Sequence, residues 1–137
     1  GTPEDLPRRS PKKIIPTRYA KIYFMRNHQN QLFIRRREEK GLLGGMMELP
    51  SSEWSVKQFN NLDKSSLTLG MVKWKQIPNK VRHTFTHFHL EMQVFEGVVE
   101  ENTDLTGVWC NLGDLNKYAF PSLMKKVLKH SISYLKL

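Results

Sequence analysis

The chain has 137 residues, 39% of them hydrophobic and 10% aromatic, and a single cysteine. This length is enough for one domain with its own core, and no stretch approaches the roughly 20 apolar residues of a membrane span. The lone Cys110 excludes an internal disulfide and is typical of a reducing compartment. The formal net charge of +9 favours a polyanionic partner, because neutralising phosphates releases counterions.

The positive charge lies in the first two thirds of the chain. Residues 1–40 hold eleven Lys or Arg and four Asp or Glu. Residues 41–90 hold six basic and three acidic residues, and residues 91–137 hold five basic and six acidic residues. Such an asymmetry is typical of nucleic-acid binding. We therefore expect a nucleic-acid partner, with a small basic domain that binds no anion as the alternative.

Residues 1–17 are predicted to form an interdomain linker or strap. They hold four of the seven prolines among basic residues, with little apolar content. Proline fixes the backbone and removes a hydrogen-bond donor, which favours an extended segment. Since the chain begins with neither Met nor a signal peptide, we expect an upstream domain in a longer protein. A tail without function is the alternative for residues 1–7.

The pattern after the linker is typical of β-structure. Residues 19–25 and 31–35 flank a polar turn at 27–30 and predict a hairpin. Three glycines predict bends or close backbone approaches in the following apolar run: Gly41, Gly44 and Gly45. Ser51 or Ser52 can N-cap a short helix containing Trp54, Val56 and Phe59, although the helical periodicity there is weak.

Further strands and one clear helix complete the chain. Residues 70–77, 88–99 and 107–110 are predicted strands. A helix begins with Pro121 in its first turn. One face of the helix is apolar and consists of Leu123, Met124, Val127, Leu128, Ile132 and Leu135. The other face is basic and bears Lys125, Lys126 and Lys129. Strands followed by one closing helix indicate an α+β domain over residues 18–137.

Residues 81–90 are the densest group of chemically active side chains, with one Arg, three His, two Thr and two Phe. They lead directly into the predicted strand 88–99. A basic, aromatic and hydroxyl-bearing loop on a rigid strand suits contact with a phosphate backbone, a base stack and a base edge. The candidate binding residues are Arg82, Phe85, Thr86 and His87, and the position of Arg82 in the loop suggests contact with phosphate.

The histidines of this segment also have the spacing of possible metal ligands. His83, His87 and His89 share strand parity and raise the question of a zinc site, but the only nearby acid of that parity is Glu91. We therefore expect no metal, a base or phosphate contact by His87 and a packing role for His89. Cys110 is expected to be a small core residue. The tryptophans are expected to be packing residues: Trp54, Trp74 and Trp109.

Two segments resemble the C-terminal domain of the MutY-type adenine DNA glycosylases. Phe85, Thr86 and His87 resemble that family's Phe-Ser-His loop, with Thr86 in place of the serine. Residues 40–50 resemble its Gly-Leu-Trp-Gly-Gly-Leu-Trp-Glu-Phe-Pro stretch, and also the segment before the Nudix box of MutT-like pyrophosphohydrolases. The basic strap, the first hairpin and the segment 118–121 follow in the family's order. The resemblance covers nearly the whole chain and implies a Nudix-like α+β fold, a mixed β-sheet flanked by helices.

The resemblance also implies a function. Such glycosylases remove adenine mispaired with 8-oxoguanine in base excision repair, using an N-terminal helix-hairpin-helix domain with a 4Fe-4S iron–sulfur cluster. This chain has one cysteine and no room for that domain, so we expect no catalytic residue and no cofactor in it. It would read the lesion in double-stranded DNA containing 8-oxoguanine opposite adenine, beside the catalytic domain of the same parent protein. The expected location is the bacterial cytoplasm, at the nucleoid, with no membrane partner.

The family implies a role for each loop residue. Phe85 would wedge beside the lesion, Thr86 would hydrogen-bond its oxidised edge and His87 would meet the DNA backbone. Oxidation at C8 turns N7 from an acceptor into a donor, and a hydroxyl can both donate and accept. The extra methyl group of Thr86 narrows its rotamers relative to serine.

A MutT-like nucleotide pyrophosphohydrolase is the main alternative, and a Nudix-fold interaction module without catalysis is a third. Nudix chemistry needs a cluster of carboxylates that holds Mg²⁺ on a diphosphate. Counted without gaps, the positions of the box are occupied by Ser52, Gln58, Ser66, Leu67, Gly70 and Met71, so its metal ligands are absent. Glu48 is expected to be a structural carboxylate.

Overall fold

The computed structural model describes residues 14–38, 41–58, 72–100 and 105–137. Most of the expected linker lies outside this part of the chain, so its assignment to residues 1–17 stays a prediction. Thr17 is the first residue of strand β1 (Thr17–Arg26). The carbonyl of Pro16 accepts a hydrogen bond from the backbone N–H of His89 (2.9 Å), so the polypeptide is tied to the sheet from Pro16 onward.

The predicted first hairpin is confirmed. β1 pairs antiparallel with β2 (Leu32–Arg36), and Asn27 holds the turn between them. The side-chain oxygen of Asn27 accepts hydrogen bonds from the backbone N–H groups of Gln29 (3.0 Å) and Gln31 (2.9 Å). Because this side-chain acceptor satisfies two backbone donors, the turn is specified by its own sequence.

A mixed β-sheet forms the centre of the described structure. Its remaining strands are β3 (Met47–Glu48), β4 (Lys75–Gln76), β5 (Val81–Thr84), β6 (His89–Val98) and β7 (Val108–Cys110). The order is β3-β2-β1-β6-β4, with β5 also paired to β6 and β7 to β2. β1 and β6 run parallel over their full length, and the other pairs are antiparallel.

One helix, α1 (Ser122–Leu135), packs on the sheet after a short 3-10 helix (Leu112–Lys117). Its predicted apolar stripe is buried in the main core, at Leu123, Met124, Val127 and Leu128. Pro121 precedes the helix instead of lying in its first turn. The predicted α+β class is therefore confirmed. In the part of the chain that the structure describes, no helix is both long and apolar enough to cross a membrane.

Trp74 packs on the opposite face of the sheet, as expected of a packing residue, and so does Trp109. The predicted strand over 70–77 is shorter than expected: only Lys75–Gln76 pairs with β6, residues 72–74 are not in a strand, and residues 70–71 lie outside the described ranges. A Cβ on Gly97 of β6 would lie 2.9 Å from the Trp74 ring. The indole thus fills the place of a side chain at Gly97, and packing on β6 holds this segment.

The helix expected from Ser51 or Ser52 does not form within residues 51–58, and Phe59 lies outside the described residues. Tyr19 of β1 and Ser55 exchange two backbone hydrogen bonds of 2.8 Å. β2 pairs only with the last residue of β1, which leaves backbone groups of β1 to be satisfied. Pairing with that open edge overrides the weak helical periodicity and holds Trp54 against the core.

Candidate functional site

The β5–β6 hairpin holds all four predicted binding residues, and its turn is tightly closed. The backbone N–H of Phe85 donates to the carbonyl of Phe88 (2.8 Å). Thr84 Oγ1 and His89 Nδ1 lie within hydrogen-bond distance, at 2.8 Å, across the base of the turn. Backbone and side-chain bonds together hold the turn on two paired strands, which is the rigidity that a recognition loop needs.

The four predicted residues lie in different environments. Thr86 and His87 are exposed at the tip of the turn, and Arg82 is exposed on β5. Phe85 is half-buried. Side chains alternate along a strand, so Arg82 points to the other side of β5 from His83. The structure therefore brings Phe85, Thr86 and His87 together and places Arg82 on a separate surface of the same hairpin.

Phe85 is packed in an aromatic cluster that we call the Trp54 cluster (Trp54, Phe85 and Phe88). The centroid of its ring lies 4.8 Å from that of Phe88 and 5.7 Å from that of Trp54. The ring of His83 meets Phe85 edge-on at 4.8 Å. Phe85 is thus an anchor of the hairpin with part of its surface open to solvent.

Two arginines cover the Trp54 cluster. The guanidinium carbon of Arg18 lies 5.5 Å from the centroid of Phe88, and that of Arg37 lies 4.9 Å from the centroid of Trp54. Both distances are within the roughly 6 Å range of cation–π attraction. Sequence reasoning missed both residues, because these arginines are distant from the hairpin along the chain. The available signal was an unexplained Arg-Arg-Arg run at 35–37.

His83 connects the hairpin to α1. The amine of Lys126 lies 3.1 Å from Nδ1 of His83 and 3.5 Å from the carbonyl oxygen of Arg82. A lysine ammonium can only donate, so Nδ1 of His83 accepts and its Nε2 bears the proton. Burial lowers the pKa of His83, and the positive charge of Lys126 lowers it further. Both effects keep the ring neutral.

The three histidines considered as zinc ligands face different partners. His83 faces Lys126, His89 faces Thr84, and His87 is exposed at the tip. Within the described ranges, no three His, Cys, Asp or Glu side chains are placed to hold a metal ion. Their shared strand parity does not make them converge, because the turn separates His83 from the other two.

Cys110 is buried in the main core, as predicted. Burial raises the pKa of its thiol, Asp114 raises it further, and Lys117 acts in the opposite direction. The thiol lies 3.2 Å from the carbonyl oxygen of Asn111 and donates to it. A protonated and bonded thiol is a poor nucleophile, which agrees with a packing role.

A cleft of about 830 Å³ lies beside the Trp54 cluster, and Glu48 is in its wall. Glu48 is buried. Its two carboxylate oxygens accept hydrogen bonds from Nε of Arg35 (2.9 Å) and Nη1 of Arg37 (3.0 Å). With both oxygens occupied by arginines, Glu48 has the structural role predicted for it. Ser52 and Gln58 are the only box positions inside the described residues, and neither offers a carboxylate.

Comparisons with known proteins agree with this architecture. The NUDIX domain family model matches residues 22–130. Over 112 residues the chain is 29% identical to the adenine DNA glycosylase of Homo sapiens, an alignment that covers 72% of this chain. The same alignment covers 20% of the human protein, so the chain spans about a fifth of the length of that relative.

Two solved structures share the fold. The C-terminal domain of mouse MUTYH, solved in complex with human PCNA, superposes with a TM-score of 0.69 and 17% identity, over 87% of this chain and 90% of that one. A MutT protein from Methanosarcina mazei Go1 has a TM-score of 0.64 and 18% identity, over 93% and 99%. The chain belongs to the NUDIX domain family, and within it is similar to the C-terminal Nudix-like domain of MutY-type adenine DNA glycosylases.

Proposed function

We propose that this chain is the lesion-recognition domain of an adenine DNA glycosylase, which reads 8-oxoguanine opposite adenine in double-stranded DNA. The most direct support is the exposed hairpin tip, which presents the hydroxyl of Thr86 and the imidazole of His87 beside the half-open ring of Phe85. The identity to human adenine DNA glycosylase supports the same assignment. Adenine removal and an iron–sulfur cluster would belong to a separate domain of the parent protein.

The chemistry of the tip suits the difference between lesion and guanine. Guanine offers acceptors at N7 and O6, whereas the oxidised base has a donor at N7 and a new carbonyl at C8. A hydroxyl can accept from that donor or donate to that carbonyl. Thr86 would make this contact, Phe85 would wedge against the base stack and His87 would meet the backbone. Arg82, on the other surface of the hairpin, would contact phosphate and add affinity without sequence preference.

The test is a comparison of Thr86 variants. Thr86→Ala is expected to lower the ratio of affinities for 8-oxoguanine:adenine and guanine:adenine duplexes. The difference between the two binding free energies should shrink by up to about 1 kcal/mol, the contribution of one neutral hydrogen bond. Thr86→Ser, which restores the family's serine, should keep or raise the ratio. Titration of the chain with fluorescent duplexes measures both affinities. Thr106→Ala, at another exposed threonine, is the matched control, and an unchanged ratio in Thr86→Ala would reject the role of Thr86.

A MutT-like hydrolase is the second candidate, since the fold and the cleft beside Glu48 are compatible with it. We expect no Mg²⁺-dependent release of pyrophosphate from 8-oxo-dGTP. Glu48 is neutralised by two arginines, and residues 52–71 contain only two acids, Glu53 and Asp63. A pyrophosphohydrolase with an intact Nudix box serves as the positive control for the assay conditions. Metal-dependent turnover by this chain that is lost in Glu53→Gln would favour the hydrolase instead.

A further inference from the structure

The exposed side of α1 bears a group of cations, of which only Lys126 is accounted for by contacts with the hairpin. Lys125, Lys126 and Lys129 are exposed, and His130 is half-buried beside them. α1 contains no Asp or Glu, and none of the three lysines forms an ion pair within the described residues. Like charges gathered without an acid repel each other in the free protein. A bound anion would relieve that repulsion.

A shallow hollow of about 420 Å³ adjoins these cations. Its walls are formed by Lys126, Lys129, His130, Ser133 and Tyr134. Nε2 of His130 lies 2.9 Å from the carbonyl oxygen of Pro78, which fixes the ring at the edge of the hollow. Tyr134, which lines the hollow, is 53% exposed. Amines and hydroxyls in one hollow are the groups that proteins use to contact phosphate oxygens.

Lys126 ties this surface to the hairpin. Its contact with His83, and the contact of His83 with Phe85, form a continuous path from α1 to the turn. Only Thr84 and Phe85 separate His83 from Thr86 along the chain. The cations of α1 therefore adjoin the hairpin whose tip presents Thr86 and His87.

We propose that this side of α1 is a second DNA contact, which binds backbone phosphates of the same duplex that the hairpin tip reads. We call it the α1 basic face (Lys125, Lys126, Lys129, His130, Ser133 and Tyr134). That both contacts meet one duplex rests on the proposed function of the hairpin. The face supplies affinity and orientation for any duplex, because phosphate contacts carry no base information. Lesion discrimination stays with the hairpin tip.

The test is the salt dependence of duplex binding by the chain and a double variant, Lys125→Gln with Lys129→Gln. Lys126 is left in place because it holds α1 to β5. Each lost phosphate contact lowers the slope of log affinity against log salt by about 0.9, so the double variant should lose a slope of about 1.8. We expect the affinity in low salt, about 50 mM, to fall at least roughly tenfold, equally for 8-oxoguanine:adenine and guanine:adenine duplexes.

The matched control removes the same charge elsewhere: Lys73→Gln with Lys75→Gln, two exposed lysines in and beside β4. It should leave the slope nearly unchanged. The proposal would be overturned if the slope changed equally in both double variants, or if the unsubstituted chain did not bind duplexes at low salt. Neutral methylphosphonates in place of the phosphates that flank the lesion should reduce the difference in affinity between the unsubstituted chain and the Lys125 and Lys129 variant. If they do not, these lysines do not contact phosphates beside the lesion and the proposal is wrong.

The two proposals fail in different ways. If the slope falls as expected but Thr86→Ala leaves the lesion-to-guanine ratio unchanged, the α1 basic face stands and the role of Thr86 does not. If the ratio changes and the slope does not, the hairpin reads the lesion without the α1 basic face. If the duplex affinity of the chain does not change with salt concentration, the third alternative, a non-catalytic Nudix-fold interaction module, is favoured instead.

Discussion

Replacing Glu48 by glutamine is expected to lower the free energy of unfolding by about 2 kcal/mol. Removing one member of a buried ion pair typically costs about 3–5 kcal/mol. The cost is smaller here because the side chains of Arg35 and Arg37 keep 36% and 28% of their exposure and stay partly hydrated. The amide has the shape of the carboxylate, but its NH₂ group would face a guanidinium, donor against donor. The melting temperature should fall by about 6 °C for a domain of this size.

Glu53→Gln is the control, since Glu53 is an exposed glutamate of the same segment. A melting temperature equal for Glu48→Gln and Glu53→Gln would show that the two arginine contacts do not stabilise the fold.

The Glu48→Gln substitution should also weaken DNA binding. Arg37 contacts both Glu48 and the ring of Trp54, and Trp54 packs on Phe85. Duplex affinity of Glu48→Gln should therefore fall below that of the control even where the protein is folded.

The local sequence was enough to predict elements in which apolar residues recur at a regular spacing, or in which a turn is held by its own side chains. The apolar stripe of α1 predicts the buried face correctly at Leu123 and Val127. Ser131, which is fully buried, is missed because its hydroxyl is satisfied by the carbonyl of Val127 (2.7 Å), a bond that periodicity cannot reveal. The first hairpin was predictable because Asn27 satisfies the turn from within the turn itself.

Elements that depend on distant partners were not predictable. Residues 51–58 follow the open edge of β1 instead of forming a helix, because backbone pairing with Tyr19 decides their conformation. Residues 72–74 are held by Trp74, whose indole fills the space over Gly97 of β6. In both cases the sequence contains the residues, but the deciding contact lies with a strand far along the chain.

In the candidate site, too, some features were predictable from the local sequence and others depend on distant contacts. The group of Arg82, Phe85, Thr86 and His87 was evident as composition, and the strand after it was predicted over residues 88–99. The hairpin was not predicted, because residues 81–84 were expected to be loop and instead pair with β6. Its surroundings were not evident. Alternation along β5 separates Arg82 from His83, and Lys126 reaches His83 from α1. A stretch of sequence thus indicates which chemical groups are present, whereas the fold decides which of them share a surface.

Replacing Phe85 by alanine is expected to lower both stability and DNA affinity. A buried phenylalanine costs about 3–5 kcal/mol when truncated, and a half-buried one that touches Trp54 and Phe88 should cost about 2 kcal/mol. If the open part of the ring wedges into the base stack, affinity should fall for 8-oxoguanine:adenine and guanine:adenine duplexes alike, since stacking does not read polar edges. Melting temperature and both affinities are to be measured on the same preparation.

Phe85→Leu and Phe88→Leu separate packing from wedging. Both leucines keep apolar volume in the Trp54 cluster, so each should lose less stability than Phe85→Ala. Phe88 lies in the same cluster under the guanidinium of Arg18, and its replacement is a matched control for the loss of a ring. If Phe85 is a wedge, Phe85→Leu should bind duplexes several-fold more weakly than Phe88→Leu at similar stability. Equal affinities would mean that Phe85 only holds the hairpin in place, and that Thr86 and His87 alone meet the DNA.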